Sequence, residues 1–433
     1  MQDPTALPAS PRSLPAQKQS WVKKLGPGLI TGAADDDPSG IATYSQAGAQ
    51  FGLNMLWTVF LTYPLMVGIQ IVSAKIGRVS GKGLASNMRI HYPAWLVYSI
   101  VGLLLVANTI NIAADVSAMG ESLALLTGGP PHLYAATLGI VSLLLQVFIP
   151  YSRYVRFLKW LTLGLLAYVA TALVVDVPWG KAAAATFLPR LSWTPEFITT
   201  IVAVFGTTIS PYLFFWQASQ EVEEQQANPA SSPLKEAPDQ AKANFRRIRL
   251  DTIIGMGFSN LVAFFIILTA AVTLHTHGIT DIQTSAQAAT ALRPIAGQFA
   301  YLLFSMGIIG TGLLSVPVLA GSAAYAMAGA FNWTDGLEHT PSTAKKFYGI
   351  IAVATLGGIG LCFTPVDPIK ALYWSAVING VISVPIMAVM MLMAGHREIM
   401  GRFVIGTRLR IAGWLATGMM AAAVGAMFWS LRH

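Results

Sequence analysis

Apolar runs of about twenty residues or more recur along the whole chain, separated by short stretches where charge and proline gather. They fall at residues 24–52, 55–77, 94–120, 132–150, 154–176, 195–222, 248–274, 295–331, 346–364, 367–394 and 409–430. A helix needs about 20 apolar residues to cross a bilayer, so the pattern predicts an all-α polytopic membrane protein of about eleven transmembrane helices. Residues 1–20, rich in Pro, Ser, Gln and Ala, lack the apolar core of a secretory signal and read as a disordered cytoplasmic tail.

Composition agrees with the pattern. Of 433 residues, 54% are hydrophobic and only 11% charged, against roughly a quarter charged in soluble domains. The formal net charge of +8 does not imply a nucleic-acid partner, because Lys and Arg in a membrane protein sort first to cytoplasmic loops. Placing the N-terminus inside puts 22 of the 27 Lys and Arg on cytoplasmic segments and leaves Lys181, Arg190, Arg293, Lys370 and Arg432 outside. The expectation is an integral protein of a cell (inner) membrane, N-terminus cytoplasmic and C-terminus external, with 223–245 as the longest cytoplasmic loop. The lipid bilayer is one partner; nothing in the sequence sets an oligomeric state.

Two of the spans are interrupted. In the first, Ala34-Asp35-Asp36-Asp37-Pro38-Ser39-Gly40 places three carboxylates inside an apolar run. Charge at membrane depth costs a few kcal/mol per group and marks functional sites. Pro38 removes a backbone donor and Gly40 frees φ, which predicts a break in the helix there. Carbonyls left over at such a break need protein, water or an ion to satisfy them; carboxylates with freed carbonyls make a cation site. The alternative is an ordinary solvated turn outside the membrane. In the sixth span, Phe205-Gly206-Thr207-Thr208-Ile209-Ser210-Pro211-Tyr212 again sets a proline mid-span among small hydroxyl residues. Pro211 alone reads equally as a plain kink. Paired with Pro38 five spans earlier it reads as an inverted repeat, in which two discontinuous helices face each other at the midplane. With one cysteine, Cys362, a thiolate cage or intrachain disulfide is excluded, and the seven histidines, His91, His132, His275, His277, His339, His396 and His433, lie near or beyond the span ends. Oxygen is then the expected ligand for any metal held within the membrane.

Gly26-Pro27-Gly28-Leu29-Ile30, Asp37-Pro38-Ser39-Gly40, Gln46 through Gly52, Gly206 through Tyr212 and Leu250-Asp251-Thr252 resemble the Nramp divalent-metal transporters. The resemblance runs from about residue 24 into the last span. It implies the LeuT fold as a 5+5 inverted repeat, residues 24–176 and 195–394, with broken helices 1 and 6 and an additional helix at 409–430. It also implies a transporter rather than an enzyme, with no cofactor apart from the transported ion. Asp37 matches the family's metal-binding aspartate, and Gly40 stands where its ligand asparagine would be. Ser210 replaces the methionine, Tyr212 the histidine, and Thr207 the residue whose carbonyl binds metal. Loss of the one thioether favours hard cations, and the smaller side chains imply a larger pocket. Both suit a partly hydrated Mg²⁺, as in the Nramp-related magnesium transporter branch, with Mn²⁺ also carried. The alternative is a proton-coupled Mn²⁺ or Fe²⁺ transporter of the Nramp type.

The metal ligands expected are therefore Asp37, Gly40, Thr207 and Ser210. Asp35 and Asp36 would form a negative mouth. Asp115, on one helical face with Asn108 and Asn111, falls where the family has a proton-passage glutamate, although the aspartate three residues earlier is Ile112; hydrogen bonding between helices is the other reading of this face. Tyr212, Trp216, Gln217, Ser375 and Asn379 are candidates for the pathway or pocket wall. The Met-rich stretch 386–393 reads as packing or lipid-facing filler.

Overall fold

The computed structural model describes residues 27–149 and 164–432. The predicted tail lies outside these residues, as does much of the fifth span with Arg153, Arg156 and Lys159. The first span is two helices, α1 (Pro27–Asp35) and α2 (Pro38–Phe51), and the sixth is likewise two, α9 (Pro195–Thr208) and α10 (Pro211–Gln226). Between them come α3 (Leu56–Ser80), α4 (Leu84–His91), α5 (Ala94–Thr127), α6 (Pro131–Phe148), α7 (Leu166–Val174) and α8 (Trp179–Phe187). After them come α11 (Ala241–Thr273), α12 (Ala300–Phe331), α13 (Lys345–Leu361), α14 (Pro368–Gly395) and α15 (Thr407–Ser430). Among the described residues, eight segments are long and apolar enough to cross a membrane, one of them containing both α2 and α3. With 17 residues, α13 is short by one turn or less of a full span.

The sixth span runs further than its hydropathy predicts, to Gln226, because the charges that end the apolar run are paired. Arg247 of α11 reaches Glu221 at 2.5 Å and Glu224 at 2.9 Å, while Glu223 accepts from the Tyr325 hydroxyl and the Leu337 N–H. The loop that follows is fastened as well: Leu234 N–H and Lys235 N–H donate to the carbonyls of Arg78 and Val79.

Small residues allow the broken helices to pack closely on unbroken ones. A methyl group on Gly32 would lie 2.3 Å from the Gly255 backbone of α11, and one on Gly206 would lie 2.1 Å from the Ala376 carbonyl of α14. Close backbone approach at small residues is the usual basis of helix association in lipid. Met387, Met390, Met391 and Met393 are all buried, so the Met-rich stretch is packing and not lipid contact.

The interior divides into two apolar clusters, and the polar candidates lie along their border. Ala34 belongs to one cluster and Ile41 to the other; the same change occurs between Val204 and Ile209, and between Leu372 and Ala376. The two breaks and the middle of α14 thus meet in one buried polar layer.

Candidate metal site

The local sequence explains the first break. Asp37 is the N-cap of α2, with extended backbone at φ −71° and ψ 169°, and Pro38 is the first helical residue. Its Oδ1 accepts the Gly40 N–H at 2.7 Å, an Asx cap with proline in the position that needs no donor. Gly40 therefore sits in a regular helical turn, and φ is not what requires glycine here. What matters is the missing side chain: a Cβ would lie 3.2 Å from Thr207 Oγ1 and 3.4 Å from both the Asp35 carbonyl and the Tyr44 ring. This also corrects the expectation of a larger pocket at Gly40, since Thr207 and Tyr44 occupy the space.

The second break repeats the design with different chemistry. Ser210 is the N-cap of α10 and Pro211 its first residue, but the serine makes no side-chain cap. Its hydroxyl donates backward to the carbonyls of Thr207 at 2.7 Å and Gly206 at 3.0 Å. The proton is thereby turned into α9, which leaves hydroxyl lone pairs for another partner. The two breaks are joined directly: the Tyr212 hydroxyl lies 3.1 Å from Asp37 Oδ2 and 3.3 Å from the Ala34 carbonyl, and Tyr44 and Thr208 share a 3.0 Å hydroxyl contact. Ser39 ties the layer to α14, donating to the Leu372 carbonyl and meeting Ser375 Oγ at 3.2 Å.

Asp35 and Asp36 do not form a mouth. Both are buried, with Ser259 Oγ of α11 at 2.6 Å from Asp35 Oδ2 and 3.0 Å from Asp36 Oδ1. One hydroxyl carries one proton, so it serves only one of them at a time, and Asp35 Oδ1 has no protein partner. Asp115 accepts from Ser315 of α12 at 2.7 Å. Asn108 donates to the Leu319 carbonyl and to Ser322 of α12, an interhelical bond, whereas neither polar atom of Asn111 has one. Asn379, one turn beyond Ser375, is buried with an unpartnered Oδ1. Trp216 and Gln217 point elsewhere: Trp216 packs on Tyr325 and against Gly321, and Gln217 donates to Thr252 of α11.

Sequence reasoning passed over Ser259, Ser315, Ser39 and the Tyr44–Thr208 pair. A signal for Ser259 exists, since Asp251, Gly255 and Ser259 form a stripe at i, i+4 and i+8 on α11; Asp251 accepts the Gly28 N–H at 2.7 Å, and Gly255 meets Gly32. The result is a buried layer holding Asp35, Asp36, Asp37 and Asp115, and among the described residues no Lys or Arg forms an ion pair with any of them.

A family model described as "Natural resistance-associated macrophage protein-like" matches residues 28–430. The chain belongs to the Nramp family. Two Nramp relatives, both named divalent metal cation transporter MntH, are 26% identical to it. One, from Klebsiella pneumoniae (strain 342), aligns over 417 residues, 95% of this chain and 94% of that protein; the other, from Deinococcus radiodurans, aligns over 415 residues, 94% and 89%. The fold is that of solved Nramp and LeuT-like transporters. The crystal structure of an Eremococcus coleocola manganese transporter superposes with a TM-score of 0.73, at 15% identity, covering 96% of each chain. MhsT in complex with L-phenylalanine gives 0.62 at 12% identity, covering 93% of this chain and 98% of that one. This Nramp protein is thus an integral membrane transporter of divalent metal cations.

Proposed function

We propose that the transported ion binds between the two breaks at Asp37, with the Thr207 carbonyl and the Ser210 hydroxyl as further oxygen donors and Gly40 admitting the close approach. The observation that carries this reading is the buried carboxylate layer without a basic counter-charge. Carboxylates at membrane depth need a compensating partner, and a divalent cation supplies it. The relatives are named for divalent metal cations in general and the solved Eremococcus coleocola protein for manganese, which favours Mn²⁺ or a similar ion as the cargo; a preference for Mg²⁺ finds no support among them. Mg²⁺ stands as a second reading on one observation, that among the described residues the side-chain and backbone groups bonded across the two breaks, Asp37, Gly40, Thr207, Ser210 and Tyr212, present oxygen and no sulfur, a donor set that suits hard ions.

Opposed half-helices support alternating access about this layer, the first repeat spanning 24–176 and the second 195–394. Asp37, Thr207, Ser210 and Asp115 are all at most 2% exposed, so an opening motion precedes ion entry. Of the family's proton-passage positions Asp115 remains while Ile112 and Tyr212 stand at two others, and Asp35 and Asp36 are the further buried acids available for proton coupling.

The test is initial-rate uptake of Mn²⁺ into proteoliposomes, with Mg²⁺ and Cd²⁺ as competitors. Saturable Mn²⁺ uptake that disappears in Asp37→Ala is expected. Uptake unchanged in that variant would refute the site; Mg²⁺ competing at concentrations similar to Mn²⁺ would favour the second reading.

A further inference from the structure

Away from the polar layer, three potential metal ligands from two distant segments converge at one end of the bundle. His91 is the last residue of α4, His396 is the C-cap of α14, and Glu398 lies in the short helix Arg397–Met400 that follows. A nitrogen of each imidazole and an oxygen of the carboxylate all lie within 4.8 Å of one another. His91 Nδ1 and Glu398 Oε2 are already 3.5 Å apart. Ligands of a tetrahedral ion with bonds of about 2.1 Å are separated by about 3.4 Å, so His91 and Glu398 form one edge of a coordination shell, with a His396 nitrogen within 4.8 Å of both.

The backbone under these residues is held. His396 caps α14 through its N–H to the Met393 carbonyl and accepts from Ile399 and Met400 N–H groups, while Tyr92 N–H closes α4 on Met88. Lys235 Nζ donates to the Glu398 carbonyl at 2.6 Å, which fixes the peptide. Its charge, with that of Arg397, opposes a cation, but at an exposed site solvent and salt weaken this effect. His396 and Glu398 are exposed and His91 partly so, so an ion reaches them without any opening of the bundle.

We propose that His91, His396 and Glu398 form a second metal site, separate from the transport site, that takes a divalent transition-metal cation of the Zn²⁺ or Co²⁺ class. Two imidazoles with one carboxylate suit such ions, whereas Mg²⁺ and Ca²⁺ require oxygen shells. An occupied site cross-links the α3–α5 connection to the end of α14, the helix that carries Ser375 and Asn379.

The probe is Co²⁺ alone, titrated into purified tag-free protein and read by its visible d–d absorption. Asp37→Ala serves as background, so that failure at one site is distinguished from failure at the other. Saturable binding of one Co²⁺ is expected there. Loss of a mere supporting partner costs a metal site 10–100-fold, so His396→Ala and Glu398→Gln should each weaken binding by about 100-fold or more. His396→Gln provides a second, size-conserving variant should the alanine misfold. No saturable absorption band in the Asp37→Ala background, or a band unchanged by the His396 and Glu398 substitutions, overturns the proposal.

Discussion

Gly40 and Thr207 show how much of the site's character rests on two side chains. The family asparagine at this position would have to enter space in which Thr207 Oγ1 lies 3.2 Å from the nearest added carbon. Overpacking of this kind costs about 1–3 kcal/mol, which corresponds to about five- to 150-fold in an equilibrium constant. Gly40→Asn alone is therefore expected to lower the rate of Mn²⁺ uptake about tenfold, and Thr207→Ala in the same chain to restore most of it. Uptake rates in the single and double variants check this; a single variant as fast as the parent would mean that the two residues do not compete for space. The sequence made Asp37 legible, because an acid followed by proline in an apolar run has few structural uses. It also held an N-cap signal, Asp-Pro at both the cap and first helical positions, that accounts for the break better than glycine flexibility does. What one sequence could not show is which residue faces which across distant parts of the chain, so the Thr207–Gly40 approach and the Ser259 donor shared by Asp35 and Asp36 emerged only in three dimensions.

Among elements, the broken helices depend on their unbroken neighbours. Neither α1 nor α9 is long enough to span a bilayer, and each is positioned by glycine-mediated contact with a longer helix. Gly206→Ala would put a carbon 2.1 Å from the Ala376 carbonyl, a clash with backbone that rotamer changes cannot relieve. A fall in the thermal midpoint in detergent and loss of uptake are expected. Gly102→Ala, in the long helix α5 with nothing within 4 Å of the added carbon, is the control and should leave both unchanged. The span boundaries were legible because hydropathy alone governs them over most of the chain. They missed by seven residues at the end of α5, which runs to Thr127, and at the start of α11, which begins at Ala241, and they stopped the sixth span short at Glu223 and Glu224, which look like a solvated loop until their partners Tyr325 and Arg247 arrive from other helices.

For the whole molecule, the charge asymmetry gives a test that does not depend on the site. With 22 of 27 basic residues on one side under the proposed topology, a reporter inserted in the 223–245 loop should read cytoplasmic and one fused after residue 433 external. The opposite reading at either position would require another arrangement of spans. The hydroxyl of Tyr212 has a consequence at this scale as well. In bonding to Asp37 it joins the first half of the chain to the second through the carboxylate proposed above for the cargo, so under that proposal a cation bound there competes with a contact between the two halves.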